Sequence, residues 1–302
     1  MDYNVFYSEC RLCPRKCGVD RTSDQRGFCG MGADLSCARA SLHMWEEPCL
    51  SLDRGSGTVF FSGCNLRCVY CQNRDISTKL LGKKISTDRL VQIFFELKEK
   101  GALNINLVTA AHFAPQVADA LDRARSEGLD IPVVYNSSGY ESVDTLRIFE
   151  GLVDIYLPDF KYMSEALAKK YSGAADYPCV AMNAIREMVR QQPKARFDTQ
   201  GGMLCGVIVR HLLLPECTYD SKRVLEYLHK TYGNSIYVSI MRQYTPIEKN
   251  LTSYPELCRR ITDKEYERIV DFADRIGIEN GFLQQSGCEE SSFIPSFDFS
   301  GV

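Results

Sequence analysis

From residue 58 onward the chain switches repeatedly between a short apolar run and a longer stretch with helical spacing. "TVFFSG" (58–63), "NINLVTA" (104–110), "IPVVYNSSG" (131–139), "VDIYLPDFKY" (153–162), "LCGVIVRHLLL" (204–214) and "SIYVSIMRQYT" (235–245) read as strands. The stretches at 87–101, 114–128, 143–151, 164–172, 178–192, 219–233 and 262–277 carry apolar residues three and four apart and read as helices. Near-continuous apolar strands separated by helices imply a parallel sheet covered by helices. Six such units are short of the eight of a closed barrel. The expected fold is therefore α/β, a partial, open (β/α)6 barrel, with its chemistry at the C-terminal ends of the strands.

Composition narrows the setting. The 302 residues are 25% charged and 45% hydrophobic, as in a folded globular chain. A net charge of −3 gives no electrostatic case for nucleic acid or an anionic membrane as a partner. No run approaches the roughly 20 apolar residues of a membrane span. The first residues lack a basic stretch followed by an apolar core, so no signal peptide is expected and the location expected is cytoplasmic. Thiols there stay reduced, which turns the 14 cysteines toward metal or catalysis rather than disulfides.

Cys10, Cys13, Cys17, Cys29, Cys37, Cys49, Cys64, Cys68 and Cys71 all precede residue 72. Residues 1–50 read as a cysteine-rich metal-binding module, 51–281 as the barrel and 282–302 as a C-terminal tail packing on it. The tail is expected to cover an edge or rim, or to act as a lid. Cys10-x2-Cys13-x3-Cys17-x11-Cys29 fits a zinc ribbon-like site or a second iron–sulfur site. Free surface thiols are the plain alternative, and Cys37 and Cys49 are spare thiols or alternative ligands. Cys179, Cys205, Cys217, Cys258 and Cys288 are scattered and expected as buried small hydrophobes.

Directly after the first strand comes "GCNLRCVYCQN", with cysteines at 64, 68 and 71. Ordinary electron-transfer clusters take four cysteines. Three thiolates can hold three corners of a cubane 4Fe–4S cluster and leave one iron open to chelate a small ligand. A zinc site completed by a distant Cys or His is the competing reading. The spacing C-x3-C-x2-C, with Tyr70 before the last cysteine, resembles the signature of the radical S-adenosylmethionine (radical SAM) superfamily. That resemblance implies a cluster that passes one electron to the SAM sulfonium. The 5′-deoxyadenosyl radical so formed abstracts a hydrogen atom from the substrate.

The later strand ends bear on where SAM would sit. Strand two ends in Thr109 and His112, where the superfamily usually has a Gly-Gly-Glu-Pro-like segment that receives the methionine amino group. Thr109 could serve that group. His112 is a candidate contact to SAM or substrate, or a structural histidine. Strand three offers Asn136 and Ser138. Strand four, "YLPDFKY", resembles the Asp-x-Lys ending of pyruvate formate-lyase activating enzymes, which maps SAM contacts to Asp159 and Lys161; an ion pair on the barrel rim is the alternative. Strand five, "VRHLLLP", resembles the same enzymes. Arg210 and His211 have opposite faces, and Arg210 is favoured as the SAM contact. Gln243 and Tyr244 on strand six are candidates for the substrate pocket, or ordinary strand-end polar residues.

Over its whole length the chain resembles the PflX-type subgroup of pyruvate formate-lyase activating enzyme-like proteins. The resemblance runs from the opening "CRLCPRKCG" through "EEP", "FFSGCNLRCVYCQN", "YLPDFKY" and "RHLLLP" to "FIPSFDFSGV". The subgroup name implies activation of a glycyl radical enzyme and a one-electron donor such as flavodoxin or ferredoxin. Two other functions stay open: a radical SAM enzyme for a small molecule or peptide, and a non-catalytic iron–sulfur or zinc-binding protein.

Overall fold

Each of the six apolar runs forms a strand, and the six lie side by side in one sheet. The computed structural model describes residues 3–247, 251–284 and 296–302. Its strands are β1 (Leu35–His43), β2 (Ser56–Phe61), β3 (Lys83–Ile85), β4 (Ile105–Val108), β5 (Val133–Ser137), β6 (Ile155–Pro158), β7 (Arg196–Phe197), β8 (Met203–Leu212), β9 (Tyr237–Met241) and β10 (Gly281–Leu283). The sheet order is β10-β9-β8-β6-β5-β4-β2-β1-β3, with β7 paired to β8. From β2 to β10 along this path every pairing is parallel. The helices are α1 (Asn4–Tyr7), α2 (Pro48–Ser51), α3 (Arg74–Ser77), α4 (Thr87–Glu99), α5 (Ala114–Ser126), α6 (Val143–Ile148), α7 (Glu165–Ser172), α8 (Tyr177–Gln191), α9 (Thr218–Tyr232) and α10 (Asp263–Ile276). The α/β partial barrel expected from the alternation is the fold observed.

Period-two alternation sorts each strand into two faces. On β5, Val133 and Tyr135 join the large core under the helices, while Val134 faces a smaller cluster with Leu157 and Ile208. Leu50 of α2 packs into that inner cluster. Two residues further along the same faces stand Asn136, Asp159 and Arg210, all lining one cavity. The barrel interior thus has an apolar lower layer, plugged by α2, and a polar upper layer at the strand ends.

Sequence reading assigned residues 1–50 to a module outside the barrel. Leu35–His43 instead forms β1, antiparallel to β2 over Cys37–His43, with a bulge between Cys37 and Arg39, and to β3 over Leu35–Cys37. Its residues are small and mixed (LSCARASLH), so the strand gains its definition from its partners rather than from apolar periodicity. The tail expected from 282 begins inside β10, which pairs with β9. Its last residues bond along β1: Ala40 N donates to Ser300 O (2.9 Å) and Phe299 N to Ala38 O (3.1 Å). The middle of the tail, including Cys288, lies outside the described residues. Among the described residues no helix is long and apolar enough to cross a membrane.

Candidate active site

The loop after β2 carries the three cysteines to the mouth of the barrel. It turns at Gly63, whose φ of +84° and tight packing demand glycine: a Cβ there would stand 2.4 Å from Met31 Cγ and 2.9 Å from Cys29 O. Cys64, Cys68 and Cys71 then line a cavity of about 250 Å³, together with Tyr70, Thr109, Asn136, Ser138, Asp159, Lys161, Arg210 and Gln243.

Each of the three thiols has a hydrogen-bonding neighbour. Leu66 N donates to Cys64 Sγ (3.4 Å) and Ser172 Oγ to Cys68 Sγ (3.0 Å). Cys71 Sγ lies 3.4 Å from Ser77 Oγ. Behind Ser172 the bonding continues through Tyr162 (2.9 Å) to Tyr70 (2.5 Å). Burial pushes the Cys64 thiol up, with Cys68 and Cys71 adding to it. Burial also raises Cys68, while Lys161 opposes that rise. Among the described residues no three His, Cys, Asp or Glu side chains converge on a single-ion point. A cubane is larger than an ion, and its thiolates sit at its corners, so three cysteines spread around a cavity fit the cluster. Donors aimed at the sulfurs suit thiolate ligands, whose charge they stabilise.

Opposite the thiols stands a network of charges. Asp159 pairs with Lys161 Nζ at 2.6 Å and with Arg210 Nε at 2.9 Å. Arg210 Nη1 lies 3.3 Å from Glu46 Oε1, and its Nη2 donates to Asn136 Oδ1 at 2.6 Å. Glu46 Oε2 accepts from Asn106 (2.5 Å) and Asn136 (2.9 Å). Burial alone would raise the Asp159 carboxyl; Lys161 and Arg210 together outweigh it and hold it below its usual range. Burial opposes the charge on Lys161 as well, and Asp159 overcomes it. Next in sequence, Glu47 is buried and accepts from Ser239 Oγ at 3.0 Å. Burial pushes its carboxyl up to about 7, with Arg210 opposing.

Sequence reading missed Glu46 and Glu47 as site residues. They reach the interior because β1 delivers them to the N-terminus of α2, the plug of the barrel. The quoted "EEP" was the available signal.

Two candidates for the pocket do not line the cavity. His112 is buried in a short 3-10 turn, Ala111–Phe113. Its Nε2 bonds Ser62 O at 2.6 Å, and burial pushes its pKa down to about 3. Tyr244 is buried too, donating to Leu257 O at 2.7 Å and packing edge-on against Tyr70. Both are wall-building residues. Arg210 turns into the cavity, whereas His211 is buried with Nδ1 2.7 Å from Phe160 O.

The scattered cysteines are not uniformly buried. Cys205 is buried and Cys217 half-buried, but Cys179 and Cys258 are exposed. Cys37 lies in the core on β1, and Cys49 packs in the inner cluster under the cavity.

These features define a thiol-lined cavity at the strand ends of an open α/β barrel. The family model of the radical SAM superfamily matches residues 58–228, and the chain belongs to that superfamily. An uncharacterized protein of Methanocaldococcus jannaschii is 29% identical over 286 residues, covering 91% of this chain and 77% of that protein. The FeFe-hydrogenase maturase HydG from Carboxydothermus hydrogenoformans is similar in fold, with a TM-score of 0.53 and 16% identity over 78% of this chain and 56% of that one. Streptococcus suis SuiB bound to S-adenosylmethionine gives a TM-score of 0.51 at 12% identity, over 74% and 49%. The chain thus spans about half the length of these two solved structures. At such identities the likeness is one of fold.

Proposed function

We propose that Cys64, Cys68 and Cys71 hold a 4Fe–4S cluster and that the polar strand ends opposite hold SAM, making this chain a radical SAM enzyme. One observation carries the reading: the three thiols and the network of Glu46, Asp159, Lys161 and Arg210 line the same cavity. When bound, cluster and SAM supply reductive sulfonium cleavage and hydrogen-atom abstraction. The chain's own residues bind, orient and shield. A methionine end carries an ammonium and a carboxylate. Glu46 offers it an anion in place of the absent Gly-Gly-Glu segment, and Lys161 and Arg210 offer cations. Asn136 can both donate and accept, and Tyr70, Thr109 and Ser138 complete the wall. Leu50, Val134, Leu157 and Ile208 form a dry floor.

For the substrate we favour a glycine of a partner protein, with flavodoxin or ferredoxin as the one-electron donor. The sheet supports this reading, because among the described residues it ends at β3 and β10 without joining them. That leaves the strand ends open from the side, where a protein loop could enter.

Anaerobic reconstitution with iron and sulfide, followed by dithionite and SAM, is expected to release 5′-deoxyadenosine. Cys68→Ala should reduce release to background. A fully loaded protein that releases none would sink the reading. Mixing loaded protein with its host's extract should give a glycyl radical signal by electron paramagnetic resonance; release of 5′-deoxyadenosine without that signal points to another substrate.

A further inference from the structure

The N-terminal cysteines lie close together in the fold. Cys10 N donates to Val19 O (2.9 Å) and Gly18 N to Cys10 O (3.0 Å), closing the loop that carries Cys13 and Cys17. Cys17 Sγ lies 3.9 Å from Cys10 O, which brings the two ends of that loop together. Gly27 runs so near Cys17 that a Cβ there would stand 2.4 Å from the sulfur. Cys10, Cys13 and Cys29 are buried, and Cys17 forms an exposed edge.

Beside them is an unusual cation. Arg21 is 2% exposed, the largest of the fully buried side chains. Its Nη1 bonds Cys10 Sγ (3.7 Å) and His112 O (2.5 Å), and its Nε and Nη2 bond Gly32 O (3.1 and 2.5 Å). Its guanidinium lies over the Tyr7 ring at 4.3 Å. Among the described residues no carboxylate pairs with it. A buried cation with only neutral partners keeps most of its desolvation cost. A nearby anion would remove it, and the group in contact that can supply one is a set of metal-bound thiolates.

We infer that Cys10, Cys13, Cys17 and Cys29 bind a second iron–sulfur cluster, with Arg21 as its buried counterion. A four-iron cluster on four thiolates carries net negative charge in its common oxidation states, which a guanidinium beside Cys10 offsets. The metal count below separates a cluster, with about four iron and four sulfide, from a single zinc. The two cysteine regions interlock. Arg15, between Cys13 and Cys17, donates to Asn65 O at 3.0 Å, and Arg67 donates to Phe28 O at 3.1 Å. The N-terminal centre therefore braces the loop that carries Cys64 and Cys68.

The test is a metal count on the full chain, purified and reconstituted without oxygen. The Cys64→Ala/Cys68→Ala/Cys71→Ala variant should keep about four iron and four sulfide per chain. The Cys13→Ser/Cys29→Ser variant should lose the same amount from the wild-type total, with circular dichroism confirming that the barrel is folded. The Arg21→Leu variant should shift the potential of the cluster left in the triple-alanine background to more negative values, and Arg21→Lys should restore it. One zinc per chain, no metal in the triple variant, or an iron count untouched by Cys13→Ser/Cys29→Ser overturns the inference. An unshifted potential in Arg21→Leu overturns the counterion role.

Discussion

The cavity and the N-terminal cysteine region both hold cations largely away from solvent, but they neutralise them differently. In the cavity Lys161 and Arg210 share Asp159, and Arg210 also meets Glu46, all within 3.3 Å. Beside Cys10, Arg21 is more deeply buried and meets only carbonyls, a sulfur and an aromatic face. The cavity is electrostatically complete in the bare polypeptide. The cysteine region is not. A site meant for a zwitterion has balanced charges awaiting exchange of partners, whereas a site meant for an anionic centre has a cation in waiting.

The sharpest way to break this comparison is to unbalance the cavity. Asp159→Asn leaves Lys161 and Arg210, whose side chains are 13% and 12% exposed, without their shared carboxylate. Removing one partner of a buried ion pair costs about 3 kcal/mol or more; these side chains keep some contact with solvent, so a drop of about 2–3 kcal/mol in stability by denaturant titration is expected. Lys161→Met added to Asp159→Asn should recover part of the loss, because it removes one stranded cation. If Asp159→Asn alone is neutral, the network is not the balanced unit described here.

The next effect separates the two regions directly. Arg21→Met removes a buried cation that lacks a carboxylate. In protein stripped of metal the lost hydrogen bonds are offset by relief from burying an unpaired charge. In loaded protein that relief is absent and the counterion is lost. The destabilisation should therefore be larger in the loaded state, by about 2 kcal/mol, measured as a cycle of variant against loading. Equal costs in both states would show that Arg21 has no anionic partner.

How much of this was readable beforehand follows from where each interaction partner lies. The six parallel strands were legible because a strand buried on both faces is apolar throughout, a local signal. Asp159, Lys161 and Arg210 stood out through the resemblance of their strand ends to those of pyruvate formate-lyase activating enzymes, and all three line the cavity. β1 was not, since its mixed residues become a strand only through Phe60, Val59 and their neighbours. Glu46 and Glu47 look like a solvated turn until α2 is seen plugging the barrel. His112 sits four residues past the end of β4, yet the turn at Ala111–Phe113 folds its ring back onto Ser62. Arg21 reads as a surface arginine, and only burial without a carboxylate gives it meaning.

A third effect lies between the regions. Glu141 is buried, near Cys13 and 3.4 Å from the Tyr135 hydroxyl. Burial pushes its carboxyl up to about 8, with hydrogen bonds opposing. A raised pKa means that the folded state holds the proton that the unfolded chain releases. The stability this contributes is full below the unfolded carboxyl range and is lost as pH rises through about 8. His112 and His211, pushed down to about 3 and about 4 by burial, act oppositely but only below about 6.5. Between pH 6.5 and 8, stability should therefore fall by about 1 kcal/mol per pH unit from Glu141. Glu141→Gln should remove that part of the slope in denaturant titrations across the window, leaving the contribution of Glu47, whose carboxyl stands at about 7. An unchanged slope would mean that the carboxyl is already ionised, adding a negative charge near Cys13.

The smallest effect concerns backbone rather than charge. Both regions place residues in the left-handed conformation. The cysteine loops use Gly18 (φ +65°), Gly30 (φ +77°) and Lys16 (φ +41°), and the cavity uses Gly63 (φ +84°) and Thr109 (φ +62°). A β-branched residue there is strained by about 1–3 kcal/mol. The conformation is held by Thr109 N donating to Asn136 O at 3.0 Å, which ties the end of β4 to the end of β5. Thr109→Gly relieves the strain but loosens the unfolded chain, at a cost of about 0.4–1 kcal/mol. The expected net is a gain of about 0.5 kcal/mol. Gly30→Ala should destabilise, since its Cβ would also stand 2.7 Å from Leu80 Cδ1. If Thr109→Gly stabilises while binding of SAM to the loaded protein weakens, measured by calorimetry, the side chain is kept in a strained position for its contact in the cavity. If stability rises and binding is unchanged, Thr109 is not part of the SAM wall, and the strand-end site shrinks to Asn136, Ser138, Asp159, Lys161, Arg210 and Glu46.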